Sequence, residues 1–321
     1  MAHLIDFSNN RANLAFTGET PWHGLGVNVD KNSSVDQWRV AAGLDWEAIK
    51  TKAQYVVNGE TIPSDSEIIY RSDTKAQLGI VTERYKPVQP AEVLEFFRGL
   101  VGAGGWGLDV VGSLDGGKKV WALAKTENEF AVKGTIDRVG MYLMLATSFD
   151  GSLATIAKFS SIRVVCNNTL TATLKDGLQA IKVGHAGTFK ADKVKEQLGL
   201  IESATKQLEF EANLLADRKI TPKEATRFLI DILAGKDVKP EELSTRSSNI
   251  IKGVFDLYNG AGKGATLASS ESTAWGLLNA VTEHVDHYSG RNDNNRLRGA
   301  WFGEGEALKL KAKDLLIQLC A

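Results

Sequence analysis

The most regular pattern of hydrophobic and polar positions lies between residues 141 and 170. One side of a strand here would carry Tyr142, Met144, Ala146 and Ser148, and the other side would carry Leu143, Leu145 and Thr147. Asp150-Gly151 tolerates the positive φ angles of a tight hairpin turn, and a second β-rich run covers residues 153–166. We therefore predict two antiparallel strands. Asn167-Asn168-Thr169 follows them with side chains that cap helices, which predicts a helix start there.

The remaining pattern divides the chain into a strand-rich part and a helical part. Strands are predicted at 53–57, 67–70, 77–81, 108–113 and 120–126, with a short helix ending at residue 42 and another at 91–101. Helical periodicity then covers 190–216, 222–233, 240–258, 272–288 and 305–319. These elements predict an α+β protein: an antiparallel sheet with packed helices in the first half, followed by an all-helical C-terminal region.

Three segments follow from this division. Residues 1–90 form a strand-rich N-terminal segment, residues 91–188 an antiparallel sheet core with flanking helices, and residues 189–321 a helical region. The hydrophobic content of 43% and the charged content of 24% are ordinary for globular proteins and exclude a disordered chain or a coiled coil. No apolar run is long enough to span a bilayer and no signal peptide is recognisable, so we expect a soluble cytoplasmic protein with no membrane partner.

The charge of the chain is balanced overall but unevenly distributed. The net charge is −1, which argues against a uniformly basic surface. Residues 152–198 nevertheless hold seven bases and three acids, and residues 287–313 hold six bases and three acids. Such runs are either solvated faces or places where an anion is bound.

Six basic and aromatic residues form the candidate nucleic-acid site, because cations hold phosphates and aromatic rings stack on bases. They are Arg163, Lys158, Trp106, Arg296, Arg298 and Trp301. Lys158 and Arg163 are five positions apart, so an unbroken strand directs them to opposite faces. Arg163 is the main candidate since it precedes the strand end at Cys166-Asn167-Asn168, and Arg296 and Arg298 lie on a predicted loop before Trp301. The alternative for Arg163 is a carboxylate partner inside the fold.

Two other constellations suggest chemistry. His284 and His287 lie one helical turn apart, but two imidazoles without a third ligand predict a polar helix end, and we assign neither a metal nor a cofactor. Cys166 with His23 or His185 could form a thiol nucleophile and its base, whereas a buried cysteine that ends a core strand is the structural alternative. No catalytic residue is assigned on this basis.

Several stretches resemble an uncharacterised family encoded by phages and plasmids. They are 21–26 (PWHGLG), 84–89 (RYKPVQ), 119–124 (KVWALA), 163–170 (RVVCNNTL) and 275–283 (WGLLNAVTE), followed by Asp286-His287. The name of that family records a domain of unknown function and supplies no catalytic residues. The resemblance implies a mobile-element setting, among DNA replication and recombination functions. Residues 91–176 are also similar in element order to the core of single-strand annealing recombination proteins, although a net charge of −1 departs from a basic annealing core.

These observations lead to one functional prediction and two alternatives. We predict a phage- or plasmid-encoded accessory protein of the bacterial cytoplasm that binds single-stranded DNA and assists strand annealing in recombination. The first alternative is a hydrolase centred on Cys166 with a histidine base. The second is a non-enzymatic factor that binds a host or phage protein. Self-association into a homo-oligomer is compatible with each of the three.

Overall fold

The protein has an α+β fold, as the sequence predicts. The computed structural model describes residues 6–7, 11–18, 25–104, 106–165, 168–171, 180–185, 201–290 and 293–320. The strands are β1 Leu14–Phe16, β2 Val27–Asn28, β3 Ala48–Val57, β4 Glu60–Arg71, β5 Gln77–Thr82, β6 Gly107–Leu114, β7 Lys119–Ala131, β8 Arg138–Ser148, β9 Thr155–Arg163, β10 Asn168–Thr171 and β11 Ile181–Val183. The helices are α1 Val35–Ala41, α2 Pro90–Gly104, α3 Ile201–Asp217, α4 Pro222–Leu233, α5 Thr245–Asp256, α6 Ala274–Glu283, α7 Asp293–Phe302 and α8 Glu304–Cys320.

The larger sheet has the strand order β10-β9-β8-β7-β6-β1-β2, and β11 also pairs with β9. All of these pairs are antiparallel except β1 with β2. The predicted hairpin at Asp150-Gly151 joins β8 to β9, and Gly151 has the positive φ of 74° that the turn requires. The strongest strand pattern of the sequence therefore forms two adjacent interior strands of the sheet.

The predicted helix start at Asn168-Thr169 is wrong, because these residues form strand β10. Asn168 lies opposite Arg163 of β9, and Thr171 lies opposite Ser160. The β-branched side chains of Thr169 and Thr171 favour an extended backbone, and pairing with β9 outweighs the capping tendency of the asparagine. The strand places Asn168 beside Arg163, as the sequence suggested for this end of the sheet.

A second sheet of three strands has the order β3-β4-β5. Its strands extend further than the predicted 53–57, 67–70 and 77–81. Asn58 and Gly59 connect β3 to β4 with φ angles of 50° and 87°, as an Asn-Gly hairpin requires. On β3, the four residues nearest the turn, Gln54 to Val57, are exposed.

The larger sheet is covered on both faces by apolar contacts. One face carries Val139, Met141, Leu143 and Phe159 and belongs to the largest core cluster, which also includes residues of α2, α3 and α6. The opposite face carries Trp121, Leu123, Met144 and Ile156, and Trp301 and Phe302 of α7 pack against it. The largest cluster takes residues from all three predicted segments, and the boundaries at 90 and 188 stay predictions.

The C-terminal helices follow the sequence signals closely at some positions and depart from them at others. Thr221 caps α4 in a capping box with Glu224, and the helix bounds agree with the predicted 222–233. The predicted helix at 240–258 is broken, since Ser244 caps α5 after a short 3-10 turn at Pro240–Glu242. No helix in the described part of the chain is long and apolar enough to cross a membrane.

The prediction of a loop before Trp301 is also wrong. Arg296 and Arg298 lie on helix α7, whose first residues are polar and show no helical hydrophobic period. The helix has its apolar residues at the end, where Trp301 and Phe302 pack on the sheet. Tertiary packing, which the local pattern does not reveal, accounts for its position.

Candidate functional site

Buried charged and polar side chains lie between strands β9 and β10 and the helices α6, α7 and α8. We call this group the polar seam. Its members are Asp137, Lys158, Arg163, Asn168, Thr169, Thr171, Ser269, Ser270, Trp275, Asn279, Asp286, Glu306 and Lys309. The strand alternation directs Lys158 and Arg163 to opposite faces of β9, so the seam extends around the edge of the sheet.

The first node of the polar seam joins Arg163 to Asp137. The Arg163 Nε and Nη2 atoms donate to the two carboxylate oxygens of Asp137 at 2.7 and 2.8 Å, and both side chains are almost fully buried. Burial alone would raise the pKa of Asp137, but the hydrogen bonds and charge of Arg163 hold it below its usual value. The aspartate is therefore ionised and the pair is neutral overall.

Three further side chains complete this node. Ser269 Oγ and Trp275 Nε1 donate to Asp137 Oδ2 at 2.6 and 3.0 Å, and Arg163 Nη2 donates to Ser270 Oγ at 2.7 Å. Gly276 permits the close approach of α6 to this turn, since a Cβ atom there would lie 2.0 Å from the Ser270 carbonyl oxygen. Both ionised groups are thus surrounded by partners, which is the condition for a stable buried ion pair.

The second node lies on the other face of β9. Lys158 Nζ forms an ion pair with Glu306 of α8 and donates to the Trp301 carbonyl oxygen at 2.6 Å. Thr171 Oγ1 donates to the same Glu306 oxygen at 2.6 Å. Burial lowers the pKa of Lys158, and the nearby Glu306 carboxylate counteracts part of that effect. The node attaches α7 and α8 to the sheet.

The third node joins Lys309 to Asp286 and Thr169. Lys309 Nζ donates to Asp286 Oδ1 at 2.7 Å and to Thr169 Oγ1 at 2.8 Å. The backbone N–H of Thr169 donates to Asp286 Oδ2 at 2.6 Å. On the same face of α8, Lys313 pairs with Glu211 of α3 at 3.0 Å. Two of the six bases counted at 287–313 are therefore neutralised inside the protein.

A small cavity borders the polar seam. It is lined in part by Arg163, Asn168, Trp275 and Thr282, and its volume of about 10 Å³ is on the scale of one water molecule. Asn168 Nδ2 donates to the Asn279 carbonyl oxygen at 3.0 Å, whereas Asn168 Oδ1 is buried without a hydrogen-bond partner among the described residues. The cavity is too small for a nucleotide or another organic ligand.

The structure brings only part of the predicted nucleic-acid site together. Lys158 and Trp301 meet at the second node. Arg163 lies on the other face of the sheet and pairs with Asp137, a carboxylate partner inside the fold as the alternative prediction stated. Trp106 is half-buried and packs edge-on against Phe159, with ring centroids 6.3 Å apart. Arg296 Nε donates to the Ser289 carbonyl oxygen at 2.9 Å, and Arg298 is exposed on α7.

The residues of the predicted thiol site are described only in part. Cys166 and His23 lie outside the described residues. The His185 ring stacks on Tyr85 with centroids 4.2 Å apart, and its two nitrogens lie 3.2 and 2.9 Å from the carbonyl oxygens of Lys86 and Leu153. Both neighbours are acceptors, so a neutral imidazole donates to one of them at a time, and the ring lies between the segments that contain Lys86 and Leu153. His284 lies at the end of α6, where burial lowers its pKa.

Sequence reasoning missed an exposed apolar surface on the three-stranded sheet. Directly opposite residues of antiparallel strands face the same side, so the strand register defines one outer face. The apolar residues of this outer face are Ile49, Ile68, Tyr70 and Ile80, with the polar Thr51 and Gln77 among them, and Tyr55, Val57 and Ile62 continue it beyond the register shift between Lys52 and Gln54. Tyr55, Val57 and Ile80 are 52%, 45% and 60% exposed. The alternation of the strands was visible in the sequence, but whether another layer covers the face was not.

The comparisons with known proteins identify a family and no activity. A family model described as a domain of unknown function (DUF932) matches residues 77–301. No curated protein and no solved structure matches the chain. The matched region contains the polar seam up to α7, whereas most of the outer face belongs to residues that precede it.

Proposed function

The chain belongs to the DUF932 family of unknown function, and we propose that it is a non-enzymatic binding protein whose partner is another protein, host- or phage-encoded, in the bacterial cytoplasm. The observation that carries the proposal is the outer face of the three-stranded sheet. Contiguous exposed apolar side chains on a soluble protein commonly mark an interaction surface. Tyr55 and Ile80 lie within this face and are more than half exposed.

The composition of the outer face supports a protein partner. Large aromatic and aliphatic side chains, such as Tyr55, Tyr70 and Ile80, are typical anchors of protein interfaces. Lys50, Lys52 and Glu67 alternate with the residues of the outer face and therefore project from the opposite side of the sheet, where Lys50 and Lys52 pair with Glu67 and Glu83. An outer face that is mainly apolar suits a protein surface better than a polyanion.

Paired variants test this proposal. A double change of Tyr55→Glu and Ile80→Glu places two charges on the outer face, and Phe210→Glu places one on α3, where Phe210 is 63% exposed. Affinity purification with chemical cross-linking from host cells should give a partner whose cross-links map to Lys75, which lies beside the Tyr70 ring of the outer face, and the double variant should lose it. A partner retained equally by all variants, or cross-linked elsewhere, would contradict the proposal. A dimer of the wild type that the double variant dissociates would assign the face to a second copy instead.

We propose single-stranded DNA binding, with assistance to annealing, as a second candidate function, and one observation favours it. Arg298 is exposed on α7 and lies one helical turn before Trp301, whose ring is only partly accessible and packs edge-on against Trp121. An exposed guanidinium suits a phosphate, and the accessible part of the neighbouring ring suits a stacked base. The resemblance of residues 91–176 to annealing proteins supports the same proposal. Fluorescence anisotropy with a labelled oligonucleotide at low salt tests it directly.

A further inference from the structure

A cavity of about 270 Å³ lies between α1, α2 and β6 and shares no lining residue with the polar seam or the outer face. It is lined by Lys31, Ser33, Ser34, Val35, Trp38, Arg98 and Leu108. The cavity is far larger than the one beside Asn168, and its size approaches the lower end of the range for small-molecule sites. It has enough room for a compact organic ligand.

The floor and the rim of this cavity differ in chemistry. Trp38 and Leu108 close the floor of the cavity with 1% and 6% of their surfaces exposed, and the partly exposed Val35 provides the apolar wall. Lys31 and Arg98 provide two positive charges, and no carboxylate is among the described residues that line the cavity. An apolar wall beside two cations matches a ligand with an apolar body and an anionic group.

The polar groups on the rim are only partly engaged by the protein. The Ser34 hydroxyl accepts the backbone N–H of Gln37 at 3.3 Å as the cap of α1. Arg98 pairs with Glu95 at 3.0 Å, but both side chains are more than half exposed, so this ion pair is weak and the guanidinium has further donors. Lys31 is exposed and has no ion pair with the described residues. Two cationic groups therefore have donors for a bound anion.

We propose that this cavity is a binding site for a small organic anion that consists of a flat apolar body and one carboxylate or phosphate group. The apolar body packs against Val35 and reaches the floor formed by Trp38 and Leu108. The anionic group receives charge-assisted hydrogen bonds from Lys31 and Arg98, which are the two residue types that suit such oxygens. This inference is independent of the proposed partner protein, because none of the lining residues belongs to the outer face.

Calorimetric titration of the full chain with three probes of similar size tests the proposal. Phenyl phosphate and benzoate carry the two anionic groups, and phenol has the same ring without a full charge. We expect saturable binding of at least one anion, and the stronger of the two identifies the preferred group. Phenol should bind at least about tenfold more weakly, since charge-assisted hydrogen bonds contribute at least that factor.

Variants of the cavity provide the controls. Lys31→Ala and Arg98→Ala should each weaken anion binding about tenfold. Lys223→Ala and Arg246→Ala remove exposed cations from α4 and α5 and should leave binding unchanged. Val35→Phe should abolish binding of every probe by filling the cavity, with circular dichroism to verify folding. Equal binding of phenol, binding unaffected by both cation changes, or no saturable binding of either anion would overturn the proposal.

Discussion

The Arg163 guanidinium and the Asp137 carboxylate form a two-point ion pair in the interior, between the end of β9 and the start of β8. Arg163 is 3% exposed and Asp137 is fully buried. Ser269 and Trp275 also donate to Asp137, and Ser270 accepts a hydrogen bond from Arg163. The guanidinium is therefore held inside the fold, and a phosphate could replace Asp137 only if the node opened.

Arg163→Ala should destabilise the protein by about 3–5 kcal/mol, because it leaves the Asp137 carboxylate buried without its counter-charge. Urea unfolding at neutral pH measures the change. Arg298→Ala, which removes an exposed arginine, is the matched control and should leave stability unaltered. A change of less than about 1 kcal/mol in the Arg163 variant would contradict the structural role of the node.

The pH dependence of stability provides a second readout of the same pair. The folded-state pKa of Asp137 lies below the ordinary pKa of an aspartate, so its contribution to stability is fully present above that ordinary pKa. The contribution is lost as pH falls through the lower, folded-state pKa. Arg163→Ala removes the cause of the shift, so the variant should lose less stability between neutral and acidic pH than the wild type does.

The Lys158–Glu306 pair should show strong coupling in a double-mutant cycle. Lys158→Met and Glu306→Leu should each cost about 2–4 kcal/mol, since each leaves a largely buried charge unpaired. The double variant should recover to within about 1 kcal/mol of the wild type, because both charges are then absent. Lys252→Met breaks an exposed pair with Asp256 and serves as the control, with no measurable effect expected. Additive losses at positions 158 and 306 would show that the two groups do not interact.

Local sequence patterns predicted the directions of side chains in the polar seam, but they did not predict the partners that distant segments supply. The strand period correctly directed Lys158 and Arg163 to opposite faces, because alternation is a property of the backbone. Their partners are not local: Asp137 is 26 positions from Arg163, and Glu306 is 148 positions from Lys158. No periodic pattern in a strand indicates which acid on which helix will face it.

The capping signals show the same limit. Thr221 with Pro222 predicted the start of α4, because its hydrogen bonds lie within four residues. Asn168-Thr169 has similar capping chemistry, but pairing with β9 determines its conformation. Helix α7 was missed because its polar first turns have no apolar period and its apolar end packs on the sheet. Where contacts with distant segments determine the conformation, as in β10 and α7, the local sequence pattern does not predict the element.

Asp109→Asn should stabilise the protein at neutral pH. Burial raises the pKa of Asp109 to about 6, and the nearby Lys125 only partly opposes this effect. Because the folded protein binds this proton more tightly than the unfolded chain does, the free energy of unfolding falls as pH rises from about 4 to 6. Above that range the loss of stability is complete. The variant should therefore gain about 1–2 kcal/mol at pH 7.5, given partial exposure, and much less near pH 4. Thermal unfolding at both pH values, with the exposed Asp36→Asn as control, measures the effect, and an equal gain at both would contradict it.

Arg298→Ala should weaken single-stranded DNA binding if α7 forms the nucleic-acid surface. Arg298 is the exposed cation of the predicted set, whereas Arg163 and Lys158 are neutralised inside the fold. Loss of one phosphate contact should flatten the dependence of log affinity on log salt concentration by about one unit. Anisotropy titrations at several salt concentrations measure the slope, and an unchanged melting temperature excludes unfolding as the cause. Arg246→Ala on α5 is the matched control, with affinity and slope expected to equal those of the wild type. Equal slopes for both variants would remove α7 from the DNA surface, and no binding by the wild type at low salt would end the DNA proposal.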